Sequence, residues 1–282
     1  MLFRSTIEAS PENATPERAA AWAAAGVNRV SMGVQSMVPQ ELRAVGRRHT
    51  AGDVAAACAN LRAAGITNIS IDLIAGLPHQ CAASWRESLG RVLDLEVPHI
   101  SVYMLEVDED SRLGSELLQS GNRYGAEAVP GEETIVELYR MAMIRLREAG
   151  LTHYEISNFA RPGLASRHNE KYWTAAAYFG FGVDAHSYDT AHRWSNVDSI
   201  DQYMLGMNNG QPVMNPPEPL TAQARREELM FLGLRRRAGL PLEAVRAAGM
   251  EARTAPLIER RSEEHTSELQ SHLNLVCRLL LE

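Results

Sequence analysis

The first hundred residues repeat one supersecondary theme, a short apolar or β-branched run followed by an alanine-rich amphipathic stretch, which is how parallel βα units read. That alternation constrains the fold most, because parallel strands need long crossovers and the crossover helices must then cover the sheet. Candidate strands cover residues 2–8, 29–35, 68–73 and 99–106, with candidate helices at 16–25, 51–64 and 84–95 between them. Thr15 and Thr50 stand as N-caps, Pro16 occupies a first helical position, and Gly26 and Gly65 follow the first two helices as stops.

Each candidate strand carries a polar side chain at or beside its end. These are Glu8, Gln35, Asp72 and Glu106, at spacings of 27, 37 and 34 residues. In a parallel barrel or doubly wound sheet the C-terminal strand ends share one rim, which brings such groups to one ligand. The alternative is the ordinary polarity of strand ends that meet water.

Beyond Glu106 the rhythm changes. An acidic loop at 108–110 precedes two candidate helices, 112–120 and 132–149, the second with Val136, Tyr139, Met143 and Leu146 inward, and a fifth strand is expected at 153–157. Residues 161–195 are rich in Gly, His and aromatics with little helical periodicity, a composition typical of a stretch that lines a site. Pro212, Pro216, Pro217 and Pro219 mark a linker, followed by helices at 221–238 and 241–248. The expected organisation is 1–110 barrel, 111–215 barrel extension, 216–260 helical domain and 261–282 tail. The tail resembles translated adapter or vector sequence, although Leu269, Leu273, Val276 and Leu280 would share one side of a terminal helix.

The charge balance is 28 basic against 35 acidic residues, a net −7, so no basic excess drives nucleic-acid binding. No run of about 18 apolar residues and no signal peptide is present, which predicts a cytoplasmic protein that is not integral to a membrane. Cys58, Cys81 and Cys277 form no CxxC pair, so neither a disulfide framework nor a zinc ribbon is expected.

The strings GVNRVSMGVQSM, ELRAVGRRHT, NISIDLIAGLPHQ, HYEISNFARPG, RHNEKYW and FGFGVDAHSY, in that order, resemble the radical S-adenosylmethionine haem chaperones of the HemW type, relatives of oxygen-independent coproporphyrinogen III oxidase. The resemblance runs from about residue 6 to about residue 246. It implies an α/β fold, a partial (β/α) radical-SAM barrel followed by a small mainly helical C-terminal domain, with a [4Fe-4S] cluster and S-adenosylmethionine at the barrel rim. The family's CxxxCxxC motif, whose three thiolates leave one iron open, does not occur here, nor does a GGGTP-like turn. The first strand therefore corresponds to the family's third, the first βα units are expected to be missing, and no metal ligand is assigned. Such an open barrel is expected to expose a strand edge, to be poorly soluble and not to be catalytically competent.

By the same resemblance, Glu8, Gln35, Arg47 and Asp72 occupy positions that contact S-adenosylmethionine. Their chemistry is suitable, since carboxylates accept from hydroxyl or ammonium groups, Gln35 both donates and accepts, and Arg47 can face a carboxylate. Read alone, Arg47 is a solvated residue beside a helix end. His168, Asn169, Tyr172 and Trp173 match the HNxxYW motif that separates the haem chaperones from the oxidases, and His186 is a further imidazole candidate for haem. An imidazole can ligate haem iron and aromatic rings offer flat apolar area, whereas a histidine among aromatics can equally be structural. The implied function is binding of haem and its transfer to acceptor proteins, respiratory enzymes at the membrane among them. The alternatives are a coproporphyrinogen III oxidase, or a cluster-free barrel lyase or hydrolase using Glu8, Asp72 and Glu106 as acid and base.

Overall fold

The computed structural model describes residues 4–106, 116, 121, 123–240, 242–247 and 249. The chain divides into two compact units, 1–165 and 166–282, so the boundary falls within the stretch read from sequence as a 111–215 extension.

Unit one is built on a six-stranded sheet of order β1-β2-β3-β4-β6-β5. The strands are β1 (Thr6–Ala9), β2 (Arg29–Gln35), β3 (Asn68–Ala75), β4 (His99–Met104), β5 (Thr152–Glu155) and β6 (Asn158–Ala160). The first four are parallel. Their order never reverses, so right-handed crossovers place each intervening helix on the same face, the winding of a barrel rather than of a doubly wound sheet. The expected fifth strand at 153–157 is instead the hairpin β5–β6, with β6 antiparallel to β4.

Strand parity sorts the sheet into two unlike faces. One carries Val30, Met32, Val34, Ile69, Ile71, Leu73, Ala75, Ile100 and Val102, all buried. The helices that supply apolar partners are α1 (Pro16–Ala24), α2 (Pro39–Ala44), α3 (Ala51–Ala63), α4 (Ala82–Asp94) and α5 (Glu132–Glu148). Trp85 of α4 is fully buried, and its indole N–H donates to the Leu138 carbonyl of α5 at 2.7 Å. The opposite face carries Glu8, Arg29, Ser31, Ser70, Asp72, His99 and Ser101, an unusual composition for parallel strands, which are commonly apolar on both sides.

Local chemistry sets the helix starts. Thr15 accepts from the Arg18 N–H, and Thr50 forms a reciprocal capping box with Asp53. Three expectations change. The helix α2 was not anticipated, being only six residues long. Val136 is 38% exposed, and Leu138 and Ala142 join Tyr139, Met143 and Leu146 in the buried stripe of α5. The expected helix at 112–120, the acidic loop and the tail with Cys277 lie outside the described residues.

Unit two contains α6 (Arg167–Trp173), the strands β7 (His186–Tyr188), β8 (His192–Ser195) and β9 (Glu218–Pro219), and the helices α7 (Ile200–Asn209), α8 (Ala222–Leu234) and α9 (Leu242–Ala247). The strands form an antiparallel sheet of order β7-β8-β9. Residues 161–195 thus hold a helix and two strands, and the proline cluster is not a bare linker, because Pro219 pairs with His192. Among the described residues no helix is long and apolar enough to cross a membrane.

Candidate functional site

Three of the four strand-end groups meet on the polar face of unit one. Glu8 is in register with Ser31, and Asp72 lies between Gly33 and Ser101 on the neighbouring strands. The Ser31 hydroxyl donates to Asp72 Oδ2 at 3.2 Å. Burial pushes the Asp72 carboxyl above its ordinary range, while hydrogen bonds from Ser101 and Ser31 pull it back. Glu106 lies past the end of β4, exposed, and no hydrogen bond or ion pair among the described residues ties it to the other three.

Gln35 is re-aimed by the backbone. The β2–β3 register slips between Gly33 and Gln35, and Gln35 itself takes a positive φ of 68°. A Cβ placed on Gly33 would lie 3.0 Å from Gln35 Nε2 and 3.6 Å from Arg47 Nη2. The amide and the guanidinium therefore converge over this one glycine, level with Asp72 on the next strand. Arg47 lies in the segment after α2, whose return is fixed by a bond from the Arg47 N–H to the Leu42 carbonyl at 2.9 Å.

Beneath this group runs a buried polar network with no sequence signal of its own. Glu41, 1% exposed, accepts from the Ser36 hydroxyl at 2.6 Å and from Gln80 Nε2 at 3.1 Å. Gln80 accepts the Gly76 N–H at 2.5 Å and donates to the Ile74 carbonyl at 3.1 Å. The Met37 N–H donates to Ser88 Oγ at 3.2 Å. One carboxylate thereby joins the turns that follow β2 and β3. A short helix with a glutamate facing inward breaks the expectation that charged residues face water.

The other predicted residues belong to unit two. Ser166 caps α6 by accepting from the Asn169 N–H at 3.4 Å. Residues four apart share a helix face, so His168 meets Tyr172, edge to face at 4.8 Å, while Asn169 and Trp173 lie on the adjoining face. Tyr172 continues into Tyr178 at 4.7 Å, and Tyr178 into Tyr188 at 6.1 Å. Arg193 stands 4.5 Å over the Tyr188 ring and is held by Glu228 at 2.8 Å. Trp173 lies under Arg235 at 4.5 Å, with its indole nitrogen sealed and unpartnered among the described residues. His186 is exposed at the start of β7. Its Nδ1 is 2.9 Å from the Asp184 carbonyl, which can only accept, so Nδ1 carries a proton and in the neutral ring the lone pair is on Nε2.

Two of the cysteines, Cys58 and Cys81, lie among the described residues. Cys58 is buried in α3 and its thiol is pushed up to about 11, chiefly by desolvation. Cys81 is exposed at the N-cap of α4, where its backbone N–H donates to Ser84 Oγ at 3.0 Å. Among the described residues no group of three or more His, Cys, Asp or Glu side chains is arranged to hold a metal ion.

The radical SAM superfamily matches residues 2–92. The "Heme chaperone HemW" of Bacillus subtilis is 38% identical over 240 residues, which cover 85% of this chain and 62% of that protein. The protein of the same name from Mycobacterium tuberculosis strain H37Rv is 34% identical over 262 residues, 93% of this chain and 66% of that one. The chain thus spans under two thirds of the length of these relatives. In structure, the radical SAM enzyme coproporphyrinogen III oxidase (HemN) of Escherichia coli superimposes with a TM-score of 0.76 at 19% identity, covering 94% of this chain and 64% of that one, a likeness of fold. This kinship, with the parallel winding in accord, shows that the chain belongs to the radical SAM superfamily as a HemW-type protein.

Proposed function

We propose that the chain is the haem-carrying portion of a cytoplasmic haem chaperone, which binds haem through unit two and passes it to acceptor proteins such as respiratory enzymes at the membrane. Unit one supplies an S-adenosylmethionine site made of Glu8, Gln35, Arg47 and Asp72. The observation that carries the cofactor half is the convergence of Gln35 Nε2 and Arg47 Nη2 over Gly33, beside Asp72. S-adenosylmethionine offers a carboxylate, an ammonium and ribose hydroxyls, and these residues present a guanidinium, an amide and carboxylates of matching sense. The family's [4Fe-4S] cluster would supply reductive cleavage of S-adenosylmethionine. Among the described residues no cluster of His, Cys, Asp or Glu is arranged to hold it.

In unit two, His168, Asn169, Tyr172, Trp173 and His186 form the haem surroundings. Support comes from the relatives called "Heme chaperone HemW" and from an exposed imidazole whose tautomer leaves Nε2 open for iron. Titration of the chain with ferric haem, followed at the Soret band, tests this half. His186→Ala together with His168→Ala is expected to abolish the spectrum of imidazole-bound haem, and an unchanged spectrum would contradict it.

A second reading, decarboxylation of coproporphyrinogen III, is favoured only by the fold shared with HemN. It predicts vinyl product from that substrate. Acid and base work by Glu8, Asp72 and Glu106 lacks support, since Glu106 is not gathered with the other two.

A further inference from the structure

Arg29 opens β2 on the polar face, in register with Thr6 and Asn68. It lies four residues, or about 13 Å along an extended strand, before Gly33, well below the Gln35 and Arg47 pair. It is 6% exposed, and its Nε is sealed from solvent without a partner. Among the described residues no hydrogen bond or ion pair is made by this guanidinium.

Desolvation weighs most against the charge on Arg29, and the fields of Tyr154, Asp72 and Glu8 favour it. Asp72 accepts from Ser31 and forms no ion pair with Arg29. Glu8 is exposed on β1, and the Arg4 cation repels. Ser70 Oγ lies 2.8 Å from His99 Nδ1, and the Tyr154 hydroxyl 2.8 Å from His99 Nε2. His99 stays neutral, pushed down to about 3 by burial and then by the fields of Arg29 and Arg4. The surroundings are therefore hydroxyls, a neutral imidazole, a second cation and the carboxyl groups of Asp72 and Glu8, neither of which forms an ion pair with Arg29. A guanidinium cannot shed its proton in a protein, and a buried unpaired charge costs several kcal/mol. A planar carboxylate accepting two parallel N–H bonds is the group that best offsets that cost.

We propose that Arg29 anchors a second binding site on the polar face of the sheet, for the carboxylate of a small-molecule ligand, distinct from the rim group around Gly33. Both S-adenosylmethionine and the propionates of haem carry that chemistry, and so do simple organic acids. The site does not require the haem reading to hold.

Thermal melts of the whole chain in sodium acetate against sodium chloride at equal ionic strength test it, with Arg29→Met as the variant. The wild type is expected to gain melting temperature saturably with acetate, and the variant to lose that response. Without acetate the variant should melt no lower than wild type, because methionine fills the stem without burying a charge. S-adenosylmethionine, ferric haem and haem dimethyl ester then separate the sources. The ligand whose affinity falls about tenfold or more in Arg29→Met, the loss of a charge-assisted bond, is the one whose carboxylate sits there. For haem, esterification must produce the same loss. A response to acetate alone sustains the site with another organic acid as its ligand. A variant that melts markedly lower, with acetate inert on the wild type, shows that Arg29 is satisfied within the protein and overturns the proposal.

Discussion

Gly33 is the position at which a single added side chain discriminates most sharply between a plain strand and a binding rim. An alanine there presses only on the movable end of Gln35 at 3.0 Å and stands in ordinary contact with Arg47 at 3.6 Å, whereas the branches of a valine would crowd both. Gly33→Val is therefore expected to weaken S-adenosylmethionine binding about tenfold, the worth of one charge-assisted hydrogen bond, with Gly33→Ala close to wild type. Equilibrium dialysis measures this, and equal affinities in all three proteins would remove Gln35 and Arg47 from the site. Glu41 presents the opposite case, a residue whose value is entirely internal. Glu41→Ala strands Ser36 and Gln80 inside the protein and should cost about 2–4 kcal/mol of stability by denaturant unfolding, because buried donors lose their acceptor.

At the scale of elements, the join between β4 and the β5–β6 hairpin governs response to acid. His99 on β4 bonds Ser70 on β3 and Tyr154 on β5, and it is held neutral down to about 3. His49, which bonds the Val34 carbonyl of β2 at 3.0 Å, is also shifted down, first by burial. For both, the folded pKa lies below the ordinary value of 6.5, so the unfolded chain binds more protons on acidification. For His99 that stability is fully present above pH 6.5 and falls as pH drops toward 3, by up to about 1.4 kcal/mol per pH unit, and His49 acts in the same direction. Urea unfolding between pH 7 and pH 4 checks this, and His99→Gln should flatten the slope.

The same elements show what was legible in the sequence. β2 runs from Arg29 to Gln35 as its apolar alternation and flanking turn residues predict, and Thr50 caps α3 as expected. The hairpin β5–β6 was hidden because HYEISNFA contains no glycine or proline to mark its turn. The helix α6 escaped because seven residues are under two turns, too few to display a period. At the site, Asp72 and Gln35 were readable from strand ends. Arg29, Glu41 and His99 were not, because their importance comes from burial against partners distant in sequence.

At the scale of the whole molecule, stability in unit one concentrates between the helical layer and the apolar face of the sheet. Trp85 ties α4 to α5 through its indole bond as well as its bulk. Trp85→Ala should cost about 3–5 kcal/mol, lowering the urea midpoint, and a loss under 1 kcal/mol would show that α5 does not pack there. The β1 edge is the other determinant, since strand edges invite pairing between chains. The two units carry different tasks in this account, the first holding S-adenosylmethionine and the second haem. That division is tested most directly by the stoichiometry of haem. A Soret titration of the purified chain with ferric haem is predicted to saturate at one haem per chain, with an imidazole-ligated spectrum that persists in Gly33→Val. Non-saturating uptake, or a spectrum that is the same after the His168 and His186 imidazoles are both removed, would contradict the reading of unit two as a haem carrier.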